Sequence, residues 1–444
     1  MPVSPPYTEL MVIQGMPFVP GEAAGRITYE PADASDSHIL VLPYAETFSL
    51  ERIPAGLVVL GGAPLAHPLI QLQQLGVPTV LLHARQGDAL HPGEHFHLDG
   101  TSGVLSPAAG RPERSQVQRV ARQSGRVRTR DGVPVHLRAT VTGELGARTA
   151  RDVEADAIGL VHSEYLTPAL ARMPDQAYYE KAFGAICRAA EPLPVTVRLL
   201  DISVDKKPAW LGELAGLTGL LGLQGSRLYD IPPVKSVVEA QAAALATLAR
   251  HYELRVVIPF VNSPEEFRHW RNRLRRWLPP VIPLGPMVET PAAALSLQQL
   301  DAVADFVSIG TNDLMQCFFG ADRDIPQVAG HLDPYAPSLY RLLQVATRDV
   351  NVTRVQLCGL LQQLPGVLPV LIGLGFRRFS VSPRLVPRLS EVVAATDSRR
   401  AYEQAQRICT ARDSQEVRAL LGFGPGGDEP AVPWQVGEVR LGLR

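Results

Sequence analysis

The chain has 444 residues, of which 46% are hydrophobic and 20% charged, with a formal net charge of −1. That length accommodates two or three domains with cores of their own, and the balanced charge gives no bulk attraction to nucleic acid or to a membrane surface. The four cysteines, Cys187, Cys317, Cys358 and Cys409, show neither CxxC spacing nor a dense framework, which is the usage of a reduced, cytoplasmic protein; no apolar run reaches the ~20 residues that a bilayer span needs.

Residues 1–106 read as a small mixed α/β unit, with strands at 39–42, 56–60, 79–82 and 103–105 and one helical run at 68–75. Residues 107–132 read as a linker helix. Seven arginines fall between Arg111 and Arg130, but no aromatic residue is interleaved with them, so a solvated helix accounts for them better than a nucleic-acid patch. The Pro-rich start of the chain lacks the basic stretch and apolar run of a signal peptide.

From 133 to 395 the rhythm changes. Apolar runs at 135–142, 157–162, 195–200, 255–260, 281–288, 306–309, 355–357 and 378–381 alternate with helical patterns, as βα units do. Eight such units predict a closed (β/α)8 barrel of TIM type. The third connection, 201–254, is long, and long loops in barrels carry function. Residues 396–444 read as a helix at 399–421 and a Pro/Gly-rich tail. The fold class is therefore α/β.

In such a barrel the active site lies at the C-terminal ends of the strands. Those ends carry Arg198 and Asp201 on the third strand, Glu289 on the fifth and Asn312 and Asp313 on the sixth, with Arg323 ten residues further on. Cys358 ends the seventh. Glu289 and Asp313 suit Mg²⁺, which takes one or two protein carboxylates and completes its octahedron with other oxygens. Arg198 and Arg323 offer planar forks for phosphate or carboxylate. This is a site for a small doubly anionic phosphate ester. The competing account, structural ion pairs between neighbours, fits any one of these residues but not the set at matched strand ends. His91, His95 and His97 lie close in sequence, yet only Glu94 joins them at ligand spacing, so they read as ordinary loop and strand histidines.

The run Asp305-Phe306-Val307-Ser308-Ile309-Gly310-Thr311-Asn312-Asp313-Leu314, continuing to Asp322-Arg323, resembles enzyme I of the phosphoenolpyruvate:sugar phosphotransferase system, within the wider family of phosphoenolpyruvate-utilising enzymes. Met287-Val288-Glu289-Thr290-Pro291, Arg198-Leu199-Leu200-Asp201 and the stretch 371–382 are similar to further motifs of that family, and the resemblance runs from about 12 to 420. It implies a swivelling phosphohistidine-type domain followed by a phosphoenolpyruvate (PEP)-binding barrel, and a cytoplasmic homodimer. It implies that Glu289 and Asp313 bind Mg²⁺, that Arg198, Asn312 and Arg323, with Arg227 in support, hold PEP, and that Cys358 protonates the enolate carbon to give pyruvate. His67, counted back from the run Leu75-Gly76-Val77-Pro78, falls on the phosphorylated histidine.

Several positions depart from the family pattern. Leu65-Ala66 replace the residues that precede the histidine, and Gln73 stands where an arginine is usual. His162-Ser163-Glu164-Tyr165 replaces Arg-Thr-Glu-Phe, so His162 stands in place of a phosphate-binding arginine. Gln224 replaces another arginine, and Leu360 replaces a glutamate. The helical domain that docks the carrier protein HPr has only the short stretch 31–38 in its place, which leaves the phosphoryl acceptor open. Two readings follow: a PEP-dependent phosphotransferase acting through a histidine, or a catalytically degenerate PEP-binding regulatory protein. Carbon–phosphorus or carbon–carbon chemistry in a related barrel is a third, disfavoured by the His67 region.

Overall fold

A computed structural model describes residues 12–43, 53–61, 76–82, 84–107, 127–166, 168, 172–203, 207–214, 217, 221–323, 325, 328 and 330–423. His67, the expected helix at 68–75 and most of the expected linker helix lie outside the described residues. The chain divides into two compact units: Met1–Val120 with Arg323–His331 and Pro425–Arg444, and Ala121–Asp322 with Leu332–Gly424.

The first unit is built on one sheet of eight strands, β1 (Ile13–Gln14), β2 (Met16–Val19), β3 (Glu22–Thr28), β4 (His38–Pro43), β5 (Gly56–Leu60), β6 (Thr79–Leu82), β7 (His95–Asp99) and β8 (Val104–Pro107). Their order is β1-β8-β7-β3-β4-β5-β6-β2. The central strands β3 to β6 run parallel and the others antiparallel. Strands β4 and β5 are apolar at successive positions because both faces are covered. Leu40, Leu42, Leu57 and Val59 pack into one cluster, and Ile39, Val41 and Val58 into the other. The sequence reading found four of these strands. The other four, β1, β2, β3 and β7, were not expected; in β3 and β7 the residues EAAGRIT and HFHLD alternate buried with less buried positions and carry few large apolar side chains.

The second unit is a closed barrel of eight parallel strands. They are β9 (His136–Val141), β10 (Ile158–His162), β11 (Val195–Arg198), β12 (Leu254–Ile258), β13 (Leu284–Val288), β14 (Val307–Gly310), β15 (Val355–Cys358) and β16 (Arg378–Val381). Every expected barrel run coincides with one of them. The fifth is shorter than the run 281–288 and starts at Leu284, although Pro283 before it still accepts from Val256 N at 2.9 Å. The expected C-terminal helix is two helices, Ser398–Thr410 and Ser414–Leu420. Ala411 is extended between them, and the Asp413 carboxylate accepts from Glu416 N, starting a new helix rather than prolonging the old one.

Strand register brings the chemistry to one level. His162 pairs with Arg198, Val288 with Ile309, and Gly310 with Cys358. Glu289 follows β13 directly, and Asn312 and Asp313 lie in the first turn of the helix Thr311–Phe319 that follows β14. No helix among the described residues is long and apolar enough to cross a membrane, and all four cysteines are free.

Candidate functional site

Arg198 is the centre of the constellation at the strand ends. Its guanidinium is buried and pairs with Glu164, with Asp201 at 2.9 Å and with Glu289 at 3.4 Å. His162 joins them: its Nδ1 lies 3.0 Å from Arg198 Nη2 and 2.8 Å from Glu164 Oε1. Burial works against the Arg198 charge, but Asp201, Glu164, Glu289 and Asp313 outweigh it and hold the guanidinium protonated well above its usual range. Four buried carboxylates thus face one buried guanidinium.

Glu289 is pushed the other way. Burial, and then the neighbouring Asp313 charge, raise its carboxyl well above the ordinary range, against the pull of Arg198. Its Oε2 accepts from Phe260 N at 2.8 Å. Phe260 follows β12 with a φ of 56°, a left-handed conformation that costs a bulky residue of order 1–3 kcal/mol; the turn aims its N–H at the carboxylate. On the other side the backbone of Gly310 comes so close that a Cβ there would lie 2.6 Å from Glu289 Oε1. Only glycine lets β14 approach the carboxylate in this way. Thr290, next in sequence, caps the helix Pro291–Leu295 through Ala293 N, so the chain turns away sharply after Glu289.

Asp313 is buried in a first helical turn, where the helix dipole favours a negative charge, and accepts from Gln316 Nε2 at 2.8 Å. The Asn312 Oδ1 accepts from Leu360 N at 2.9 Å, which fixes the amide and presents its NH₂ as a donor. Gly359 makes that contact possible: it has a φ of +121°, and a Cβ on it would lie 2.7 Å from Asn312 Oδ1. Arg227 is exposed, with its guanidinium 5.0 Å over the Phe260 ring and 3.1 Å from Gly222 O.

Cys358 lies in the barrel interior with Leu160, Val257, Met287 and Phe306. Its Sγ accepts from Gln356 Nε2 at 3.1 Å. Burial pushes the thiol up to about 12, against the hydrogen bond from Gln356 and the Arg198 charge, so it keeps its proton near neutral pH.

The geometry therefore brings together His162, Arg198, Glu289, Asn312, Asp313 and Cys358, with Arg227 beside Phe260. Arg323 is buried, three residues past the left-handed Gly320, in the segment Arg323–His331 that groups with the first unit. His67 is outside the described residues. Two residues escaped the sequence reading. Glu164, in the short turn Ser163–Tyr165, is a direct partner of Arg198; its place two residues after a strand-end histidine was the available signal. Tyr229 is buried, and burial first, then the charges of Asp201 and Glu164, raise its phenol well above the ordinary range against the pull of Arg198. An uncharged side chain in a long irregular connection gives no signal of that.

For a divalent cation the fit is specific. Among the described residues no three His, Cys, Asp or Glu side chains form a ready metal cage. Glu289 and Asp313 are instead two buried carboxylates, the Asp313 charge raising the cost of ionising Glu289, a donor set that suits Mg²⁺, which leaves its other positions to water and substrate oxygens.

Residues 116–398 match the profile of the PEP-utilising enzyme, PEP-binding domain. The chain is 30% identical over 388 residues to a phosphoenolpyruvate-protein phosphotransferase of Haloferax volcanii, covering 84% of this chain and 68% of that protein. It is 28% identical over 393 residues to multiphosphoryl transfer protein 2 of Escherichia coli, covering 82% and 47%, and 29% identical over 384 residues to the multiphosphoryl transfer protein of Xanthomonas campestris, covering 82% and 46%. The chain thus spans about half the length of the multiphosphoryl transfer proteins that it matches.

Proposed function

The chain belongs to the PEP-utilising enzymes with the PEP-binding domain, and from that membership we propose that it is a PEP-dependent phosphotransferase that passes the phosphoryl group to its own His67 and releases pyruvate. The observation that carries this reading is the excess of buried carboxylate over buried guanidinium at the strand ends, which a divalent cation would balance and to which a phosphate could then be added.

Glu289 and Asp313 would hold Mg²⁺, which supplies neutralisation of the phosphate charge when bound. Arg198, Arg323, and Asn312 through its amide, would hold the phosphate and carboxylate, with Arg227 in support and His162 donating to the phosphate. The swivelling of residues 1–106 about the linker 107–132 delivers His67. Its ring nitrogen forms the N–P bond as the ester O–P bond breaks, and the electron pair stays with the departing enolate. Cys358 Sγ–H then gives its proton to the methylene carbon, and the thiolate recovers one from solvent. A protonated thiol is what that step requires. We place the reaction in the cytoplasm, in a homodimer, with the onward phosphoryl acceptor left open.

One observation favours the degenerate PEP-binding reading: the Arg198 fork is already committed to Glu164, Asp201 and Glu289. Labelling decides. With PEP carrying radioactive phosphate, plus Mg²⁺, wild type should take up acid-labile, base-stable label and His67→Ala should not. Absence of label in a wild type that still binds PEP by calorimetry would leave a regulatory binding protein.

A further inference from the structure

The opposite end of the barrel carries a second polar centre, built from arginines. Arg255 is the second residue of β12, Arg378 the first of β16 and Arg138 the third of β9. Residues two apart on a strand share a face, and that face is the interior for all three. Val257 lies two past Arg255 and packs with Leu160, Met287, Phe306 and Cys358. Ser380 lies two past Arg378, and its Oγ meets the Oγ1 of Thr140, which lies two past Arg138, at 2.7 Å. Arg138 itself donates from Nη1 to Gln356 Oε1 at 2.9 Å, and Gln356 donates to Cys358. Arg255 stands at the far end of β12 from Phe260, the residue that binds Glu289, so this centre is separate from the site above.

Positive charge here exceeds what the protein supplies against it. Glu253 lies 3.6 Å from Arg255, but its side chain is 65% exposed. Asp156 faces Arg138, with its Oδ2 already accepting from Leu137 N. Arg354 also bears on Arg378 and is paired with Asp301 at 3.4 Å. Arg378 makes no ion pair or side-chain hydrogen bond among the described residues, and the Nε atoms of both Arg138 and Arg378 are buried without a protein acceptor. Burial, then the charges of Arg378 and Arg255, bring Arg138 down to about 10; burial, then Arg255 and Arg354, lower Arg378. Like charges held this close on one axis oppose folding unless something negative joins them.

We propose that the N-terminal mouth of the barrel is a binding site for a small oxyanion of the class of inorganic phosphate, held by Arg138, Arg255 and Arg378. Guanidinium forks from strands on both sides of the barrel match the geometry of a tetrahedral oxyanion.

The test titrates inorganic phosphate into the full-length protein without divalent metal. Calorimetry should find one phosphate per chain in wild type, and phosphate should raise the melting temperature above a chloride control of equal ionic strength. Arg378→Gln and Arg255→Gln should each bind at least tenfold more weakly. Arg378→Gln, relieved of a repulsion, should be no less stable than wild type in phosphate-free buffer. Unchanged affinity in both variants would overturn the proposal, and so would a wild type whose melting temperature answers to phosphate no more than to chloride. If a glutamine variant does not fold, the corresponding lysine variant, which keeps the charge and loses the fork, takes its place and should likewise bind at least tenfold more weakly.

Discussion

Arg198 is buried among carboxylates, and that fixes what its removal does. A buried ion pair adds little net stability, but removing one partner strands the other in a medium that cannot solvate it, at a cost of ~3–5 kcal/mol. Arg198→Met should therefore lower stability by that order in urea unfolding, because Glu164, Asp201 and Glu289 lose their common partner. Adding Glu164→Gln should recover part of the loss; a double mutant no more stable than the single would show that the two side chains are not coupled. Cys358 calls for a different experiment. With its thiol pushed up to about 12 by burial, it stays in its acid form across the neutral range. Cys358→Ala should leave phosphoryl transfer to His67 intact but slow pyruvate formation by roughly 10²–10⁴-fold, the usual worth of a placed general acid. Following label uptake and pyruvate in the same reaction separates the two steps, and parallel loss of both would remove Cys358 from the proton transfer.

At the scale of elements, strand ends do the positioning, and one glycine shows how tight the fit is. Gly310 closes β14 against the Glu289 carboxylate. Gly310→Ala should cost ~1–3 kcal/mol through overpacking and weaken Mg²⁺ binding, read by denaturation and by metal titration; an unchanged metal affinity would mean that Glu289 moves aside freely. The same scale explains what the sequence made legible. Barrel strands are buried on both faces, so they read as uninterrupted apolar runs, and the charged residues that interrupt them at their ends stand out. Arg198, Glu289 and Asp313 were visible for that reason. Glu164 was not, because it sits in a turn whose own residues gave no periodicity, and Tyr229 belongs to an irregular connection. Strands β3 and β7 were missed because alternation over five to seven residues with alanine, glycine and histidine falls below any hydrophobic threshold. The break at Ala411 was missed although the buried position of the second terminal helix, Val417, lies well off the face that Ala401, Ala405 and Ile408 share in the first. Asp413, which starts the second of them, is the residue that marked it; Asp413→Ala should cost ~1 kcal/mol, the usual worth of such a cap, in thermal or urea unfolding.

The two units have separate cores, one around the sheet that includes β4 and β5, the other within and around the barrel. All the metal and acid candidates, and every substrate candidate except Arg323, belong to the second. A ligand that binds the folded form alone stabilises it by RT ln(1 + [L]/Kd), which is ~2.7 kcal/mol at a hundredfold excess over Kd. If each core melts cooperatively, PEP with Mg²⁺ should raise one transition in calorimetry and leave the other where it was. The transition that moves should be the one that Arg198→Met lowers, which identifies it as the barrel without dissecting the chain. His67→Ala should not diminish the shift, because the histidine receives the phosphoryl group and holds neither the metal nor the ester. A shift lost in His67→Ala would place that residue in binding rather than in transfer. Equal shifts in both transitions would remove the expectation that the barrel residues alone set the affinity for substrate.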